Sequence, residues 1–135
     1  MDLTEMLATK INEMQNLPYP CVINYLSENE GLAIYPVVGS ATEFADWAGN
    51  LTKNIKYEIQ MRGTDPQLCI NTMWRIASML DSLEKLDSKN GSYIFQDLNI
   101  DNEPSLTDAD TSGHFQYTLG FSVQIYQTKG MLNNG

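Results

Sequence analysis

Residues 108–127 read DADTSGHFQYTLGFSVQIYQ, and the two halves of this stretch obey different rules. In the second half Phe115, Tyr117, Leu119, Phe121, Val123 and Ile125 occupy every second position, the period of a strand with one face buried. In the first half Asp108, Asp110 and Ser112 fall at positions 1, 3 and 5, and Gly113 at position 6, as at the start of an EF-hand calcium loop. Such a loop closes with a bidentate glutamate at position 12 and is flanked by helices. Here position 12 is Leu119, inside the alternating run. The stretch therefore predicts a polar acidic turn that feeds a strand.

Working outward, SYIFQDLNI (residues 92–100) predicts the strand that pairs with this one, leaving Asp101 to His114 as the connection. A loop of that length exceeds the usual hairpin connection of about 2 to 5 residues. Upstream, Asp65 and Pro66 form an N-cap and first-turn pair, and Cys69, Met73, Ile76, Ala77, Leu80 and Leu83 make the apolar stripe of a long helix that Asn90-Gly91 should end. Before it, TEFADWAGNLTKNIKYEIQMRG (residues 42–63) predicts a hairpin. Ile55, Tyr57, Ile59 and Met61 face one way, and Lys56, Glu58, Gln60 and Arg62 the other. CVINYL (21–26) and LAIYPVV (32–38) predict two short strands joined by the turn SENEG. Residues 1–17 hold an amphipathic helix over about 2–16, with Leu3, Leu7, Ile11 and Met14 on one face and Pro18 and Pro20 stopping it. The tail 128–135, TKGMLNNG, reads as frayed. The order helix, four strands, helix, two strands predicts a single α+β domain over 1–135, with a mostly antiparallel, mixed sheet and both helices packed on one face.

Seventeen acidic against eight basic residues give a net charge of -9. That balance argues against a nucleic-acid-binding surface, whose affinity comes from neutralising phosphates. Cys21 and Cys69 lie in apolar company and read as buried, reduced thiols of a protein made in the cytoplasm. The start MDLTEMLATKINEM lacks the layout of a signal peptide, and no apolar run reaches bilayer length, so no membrane association is expected.

Catalytic signatures are missing from the sequence: no nucleophile beside a base, no metal cluster, no glycine-rich phosphate loop. His114 is the only histidine. An enzymatic alternative would be a metal-dependent hydrolase using the Asp108/Asp110/His114 loop with Glu103, which needs three or more ligands to converge on one ion. No cofactor or metal is expected. Ile70 and Trp74 fall at the margin of the long helix's stripe or beyond it, where they either widen the core or form a protein contact; Phe44 and Trp47 admit the same two readings.

LPYPCVINYLSENEGLAIYPV after an amphipathic helix, the strand IKYEIQMRG, the helix DPQLCINTMWRIASMLDSLEKL and the closing NGSYIFQDLNIDNEPSLTDADTSGHFQYTLGFSVQIYQ resemble the minor capsid proteins of long-tailed bacteriophages. These are similar in fold to tail terminators. The resemblance covers nearly the whole chain, rests on element order, the PSL before an acidic turn and the aromatic closing strand, and carries no catalytic residue. TEFADWAGNLTK departs from the turn expected there. The resemblance implies a structural virion protein that caps the tail tube and joins it to the head, assembled in the host cytoplasm as a ring, a hexamer in the virion. Its partners would be other copies of itself, the tail tube protein and the head connector. Glu103, Asp108 and Asp110 would then face a partner or the lumen. The non-viral alternative is a protein-binding adaptor.

Overall fold

The alternating run described above forms a strand, and its pairing organises the molecule. In the computed structural model, residues 1–39 and 41–134 are described, with side chains up to residue 131. The elements are α1 (Leu3–Asn12), β1 (Cys21–Ile23), β2 (Gly31–Pro36), β3 (Thr42–Ala45), β4 (Leu51–Gly63), α2 (Pro66–Asp81), β5 (Ile94–Ala109), β6 (Phe115–Gln127) and α3 (Lys129–Asn134). The fold is α+β: a mixed, open, six-stranded sheet of order β1-β2-β4-β6-β5, with β3 also paired to β4. Every pairing is antiparallel except that of β1 with β2.

β4 and β6 lie in continuous register from Leu51↔Gln127 to Gly63↔Phe115. The shared period of two sends Tyr57, Ile59 and Met61 with Leu119, Phe121 and Val123 to one face. Tyr57 stacks on Phe121 with ring centroids 5.4 Å apart. Leu3, Leu7, Ala8 and Ile11 of α1 and Cys69, Met73, Ile76, Ala77 and Leu80 of α2 cover that face in one hydrophobic cluster. Both cysteines are buried and unpaired, and burial pushes the Cys21 thiol up to about 12. Lys56, Glu58, Gln60 and Arg62 take the other face, opposite Ser122, Gly120, Thr118 and Gln116.

Five expectations change. α1 ends at Asn12, short of the prolines, because the Asn12 carboxamide leaves the helix pattern to bind Cys21: it donates to the Cys21 carbonyl (3.0 Å) and accepts from the Cys21 N–H (2.7 Å). Since the N–H of Asn24 bonds Ile34 of β2 (2.9 Å), Cys21 and Ile23 point the other way, and Asn12 acts as a one-residue neighbour strand at the sheet edge. Arg75 of α2 donates to the carbonyls of Gln15 and Asn16 just beyond the helix.

β1 and β2 run parallel and do not form a simple hairpin; Asn24 takes a left-handed φ of 61° and starts the loop that brings the chain back in the same direction. α2 stops at Asp81, not at Asn90-Gly91: the Ser82 hydroxyl donates to the Met79 carbonyl (2.8 Å), and Leu86 enters the core from an extended segment. On a continued helix Leu86 would sit about 240° around from Leu80, off the buried stripe.

The fourth change is the largest. The stretch Asp101 to His114 is mostly strand: β5 continues to Ala109, and only the turn around Asp110–His114 separates it from β6. Its register slips at four places, between Phe95 and Asp97, Ile100 and Asn102, Asn102 and Ser105, and Leu106 and Asp108, which breaks the period of two that would have revealed it. One slip sets Asn102 over Gly120, where an added Cβ would lie 2.8 Å from Asn102 Nδ2. Finally, the tail forms the short helix α3 over Lys129–Asn134; Gly135 lies outside the described residues.

Asp2 fastens the first helix to the rest of the chain. It makes no side-chain cap on α1; its carboxylate, 6% exposed, reaches the loop before β5. There it accepts from the Ser88 hydroxyl (2.6 Å), the Lys89 N–H (2.9 Å), the Asn90 N–H (3.4 Å) and the Ser92 hydroxyl (3.2 Å). Burial alone would raise its pKa; the bonds from Ser88, Lys89 and Asn90 outweigh burial and hold it below the ordinary 3.8. A lowered folded pKa means that this stabilisation is complete above the ordinary value and is lost as pH falls through the lower one. Asp2→Ala should cost about 2 kcal/mol at neutral pH by stranding these donors. Urea titrations should show that difference shrinking below about pH 4.

Candidate functional site

The 13 residues of β4, at about 3.4 Å each, span about 40 Å and separate two differently built ends. At one end β3 and the turn that follows it leave Phe44, a strand residue, and Trp47, a turn residue, exposed. Asp46 shapes this turn: its carboxylate accepts from the N–H groups of Ala48 and Asn50 (2.9 Å each) and from the Asn50 carboxamide (3.1 Å). The Asn50 bonds, backbone first, hold the Asp46 carboxyl below its ordinary pKa. Gly49 closes the turn at a φ of 84°. Phe44 is 73% exposed and Trp47 wholly so. The turn is fixed by polar bonds, which leave the fully exposed Trp47 ring unused.

At the other end the β5–β6 turn folds on Asp110. Its Oδ1 accepts from the N–H of Ser112 (3.0 Å), the Ser112 hydroxyl (2.9 Å) and the N–H of His114 (2.9 Å). Its Oδ2 takes the Arg62 guanidinium, which also lies 3.8 Å from Asp108 and donates through Nε to the Glu28 carbonyl (2.7 Å). Arg62, Asp110, Ser112 and His114 thereby line an open polar groove of about 510 Å³ with the loop Leu26 to Asn29. The His114 backbone bond, followed by those from Ser112, lowers the Asp110 carboxyl to about 2.

Ser112, His114 and Asp110 could be mistaken for a catalytic triad. Ser112 Oγ lies 3.1 Å from His114 Nδ1, and Asp110 Oδ2 lies 3.5 Å from the same nitrogen. A general base must face the nucleophile with one ring nitrogen and its orienting carboxylate with the other. Here both partners crowd Nδ1. The cluster is suited to fixing a turn.

Of the residues singled out from the sequence, Asp108, Asp110 and His114 come together, but around Arg62. Glu103 is apart from them, in a small groove with Trp74, Ala77 and Ile100 between α2 and β5. Among the described residues no three His, Cys, Asp or Glu side chains converge as a metal site would need. Trp74 is 44% exposed and outside the core cluster; Ile70, one turn earlier on the same helix face, is half-buried. Arg62 was legible only as an outward residue of β4, because its partners lie 34 and 48 positions away. No described helix is long and apolar enough to cross a membrane.

Two outcomes follow from the acidic turn. The stability that Asp110 contributes is complete above the ordinary carboxylate pKa of 3.8 and is lost as pH falls toward about 2. Asp110→Asn should therefore flatten the acid limb of the pH–stability curve in that window, as read by circular dichroism melts. Calcium at about 1 mM should raise the melting temperature by less than about 5 °C, because Arg62 already pairs with the turn's carboxylates and Leu119 closes the loop position without a ligand. Set against protein-family models and curated proteins, the chain matches none.

Proposed function

We infer that the chain is a structural virion protein of a long-tailed bacteriophage, the tail terminator or a neighbouring neck component, which joins the tail tube to the head. One observation supports this reading above the rest: a continuously paired strand about 40 Å long carries exposed aromatic residues at one end and an acidic, arginine-braced turn at the other. A joint between two different bodies needs distinct recognition features at opposite ends. Neither feature is spent on the protein's own core. Trp74, half-exposed in the groove between α2 and β5, offers a third contact, toward a neighbouring copy in a ring.

Isolated subunits at a net charge of -9 repel one another, and a preformed tube would offset this by holding them at high effective concentration. The acidic surface also suits a passage through which DNA slides without sticking.

The deciding experiment is negative-stain microscopy of virions made without this protein. Separate heads and tails, or tails of uncontrolled length, support the reading; normal virions overturn it, and capture of a soluble host protein alongside normal virions would favour an adaptor. At residue level, Trp47→Ala and Trp74→Ala should each leave urea stability within about 0.5 kcal/mol for Trp47 and about 1 kcal/mol for Trp74. The one that meets a partner should weaken attachment to tails by about 2 kcal/mol or more. A loss of 3 to 5 kcal/mol in monomer stability, the cost of emptying a core site, would retire the contact role of Trp74.

A further inference from the structure

The loop that receives Asp2 contains Asn90 followed by Gly91, both exposed, with Gly91 at a φ of 70°. The Asn90 side-chain oxygen accepts from the Ser92 N–H (3.1 Å) and lies 2.9 Å from the Ser88 hydroxyl oxygen. The Ser92 bond polarises the carboxamide carbonyl and stabilises negative charge developing on its oxygen. The Gly91 N–H makes no hydrogen bond among the described residues. With no side chain on Gly91, little hinders its nitrogen from approaching Asn90 Cγ. A polarised acyl carbon and an adjacent unbonded amide are the two components of an intramolecular acyl transfer.

We propose that Asn90 is a site of spontaneous deamidation and that its conversion releases the Asp2 latch. Gly91 N attacks Asn90 Cγ; the new C–N bond closes a five-membered imide as the Cγ–Nδ2 bond breaks. Ammonia departs, carrying the proton from Gly91. Water then adds to either imide carbonyl, returns a hydrogen to the nitrogen and leaves aspartate or isoaspartate. No oxidant, metal or second protein is required.

The latch makes this site consequential. Ser88 Oγ stands 2.6 Å from Asp2 Oδ1 and 2.9 Å from Asn90 Oδ1, and a hydroxyl has a single hydrogen to donate. After conversion two carboxylates compete for that hydrogen around a buried aspartate, an arrangement that like-charge repulsion disfavours. The isoaspartate product also lengthens the backbone within the turn, displacing the N–H groups of Lys89 and Asn90 that hold Asp2 Oδ2. Either product loosens α1 from the loop before β5. This inference is independent of the phage reading.

The test is to age the purified chain at neutral pH and compare it with fresh protein by peptide mapping and hydrogen exchange. Asn50, followed by leucine, and Asn99, followed by isoleucine, are slow references; Asn134-Gly135 reports the dipeptide elsewhere in the chain. We expect the Asn90 peptide to appear as acid and isoaspartate while Asn50 and Asn99 stay amides. Exchange in Leu3–Asn12 should quicken about tenfold or more, the scale of losing a charge-assisted hydrogen bond. Asn90→Gln, whose ring closure would be six-membered, should age without loosening; Asn90→Asp should exchange faster from the start. An Asn90 that remains an amide overturns the proposal. So does full conversion with unchanged exchange in α1, or an aged Asn90→Gln that loosens as much as the parent chain.

Discussion

The β4–β6 ladder is the constraint from which the other elements take their places. Its thirteen consecutive pairs run without a slip, so a single choice of register fixes which side of the sheet is apolar over its whole length. β2 and β3 share the opposite edge of β4, and β5 borrows its alignment from β6. The helices then have one surface on which their stripes can be buried, and Tyr57 against Phe121 marks its centre. A shift of one residue would place Lys56 and Glu58 under α1 and α2 at the cost of burying unpaired charge.

Elements carrying an unbroken period were legible in the sequence. β4 and β6 alternate cleanly, and α2 announces its start through Asp65, whose carboxylate accepts from the N–H groups of Gln67 and Leu68, and Pro66. What escaped were features made by partners far apart in the chain. The chain after Asn12, which the Asn12 bonds to Cys21 pull out of the helix, reads in sequence as about one more turn of α1. β5 hides because each register slip inverts its alternation, so a 16-residue strand reads as a short strand and a loop. The end of α2 was misplaced because Leu83 and Leu86 continue the apolar composition although only an extended chain carries Leu86 into the core.

The candidate site was legible in its residue types and opaque in their pairing. Exposure of Phe44, Trp47 and Trp74 could not be read from sequence, where an aromatic at the margin of a stripe is equally a core residue. The acidic turn was recognisable, but its cation was not: Arg62 lies 48 positions from Asp110. Proximity to Arg62 changes what the carboxylates can do, since a charge already paired with a guanidinium is poorly disposed to bind a cation.

The treatment of the sheet's β1 and β5 margins bears on how the protein can accumulate. At β1 a side-chain amide occupies the backbone groups of Cys21, and at β5 four register slips and a proline at 104 interrupt the row of N–H and C=O groups. Neither margin is a straight template onto which another chain could add as a strand. Fibrillar growth from the β1 and β5 margins is thereby disfavoured, and the remaining edge, β3, is only four residues long.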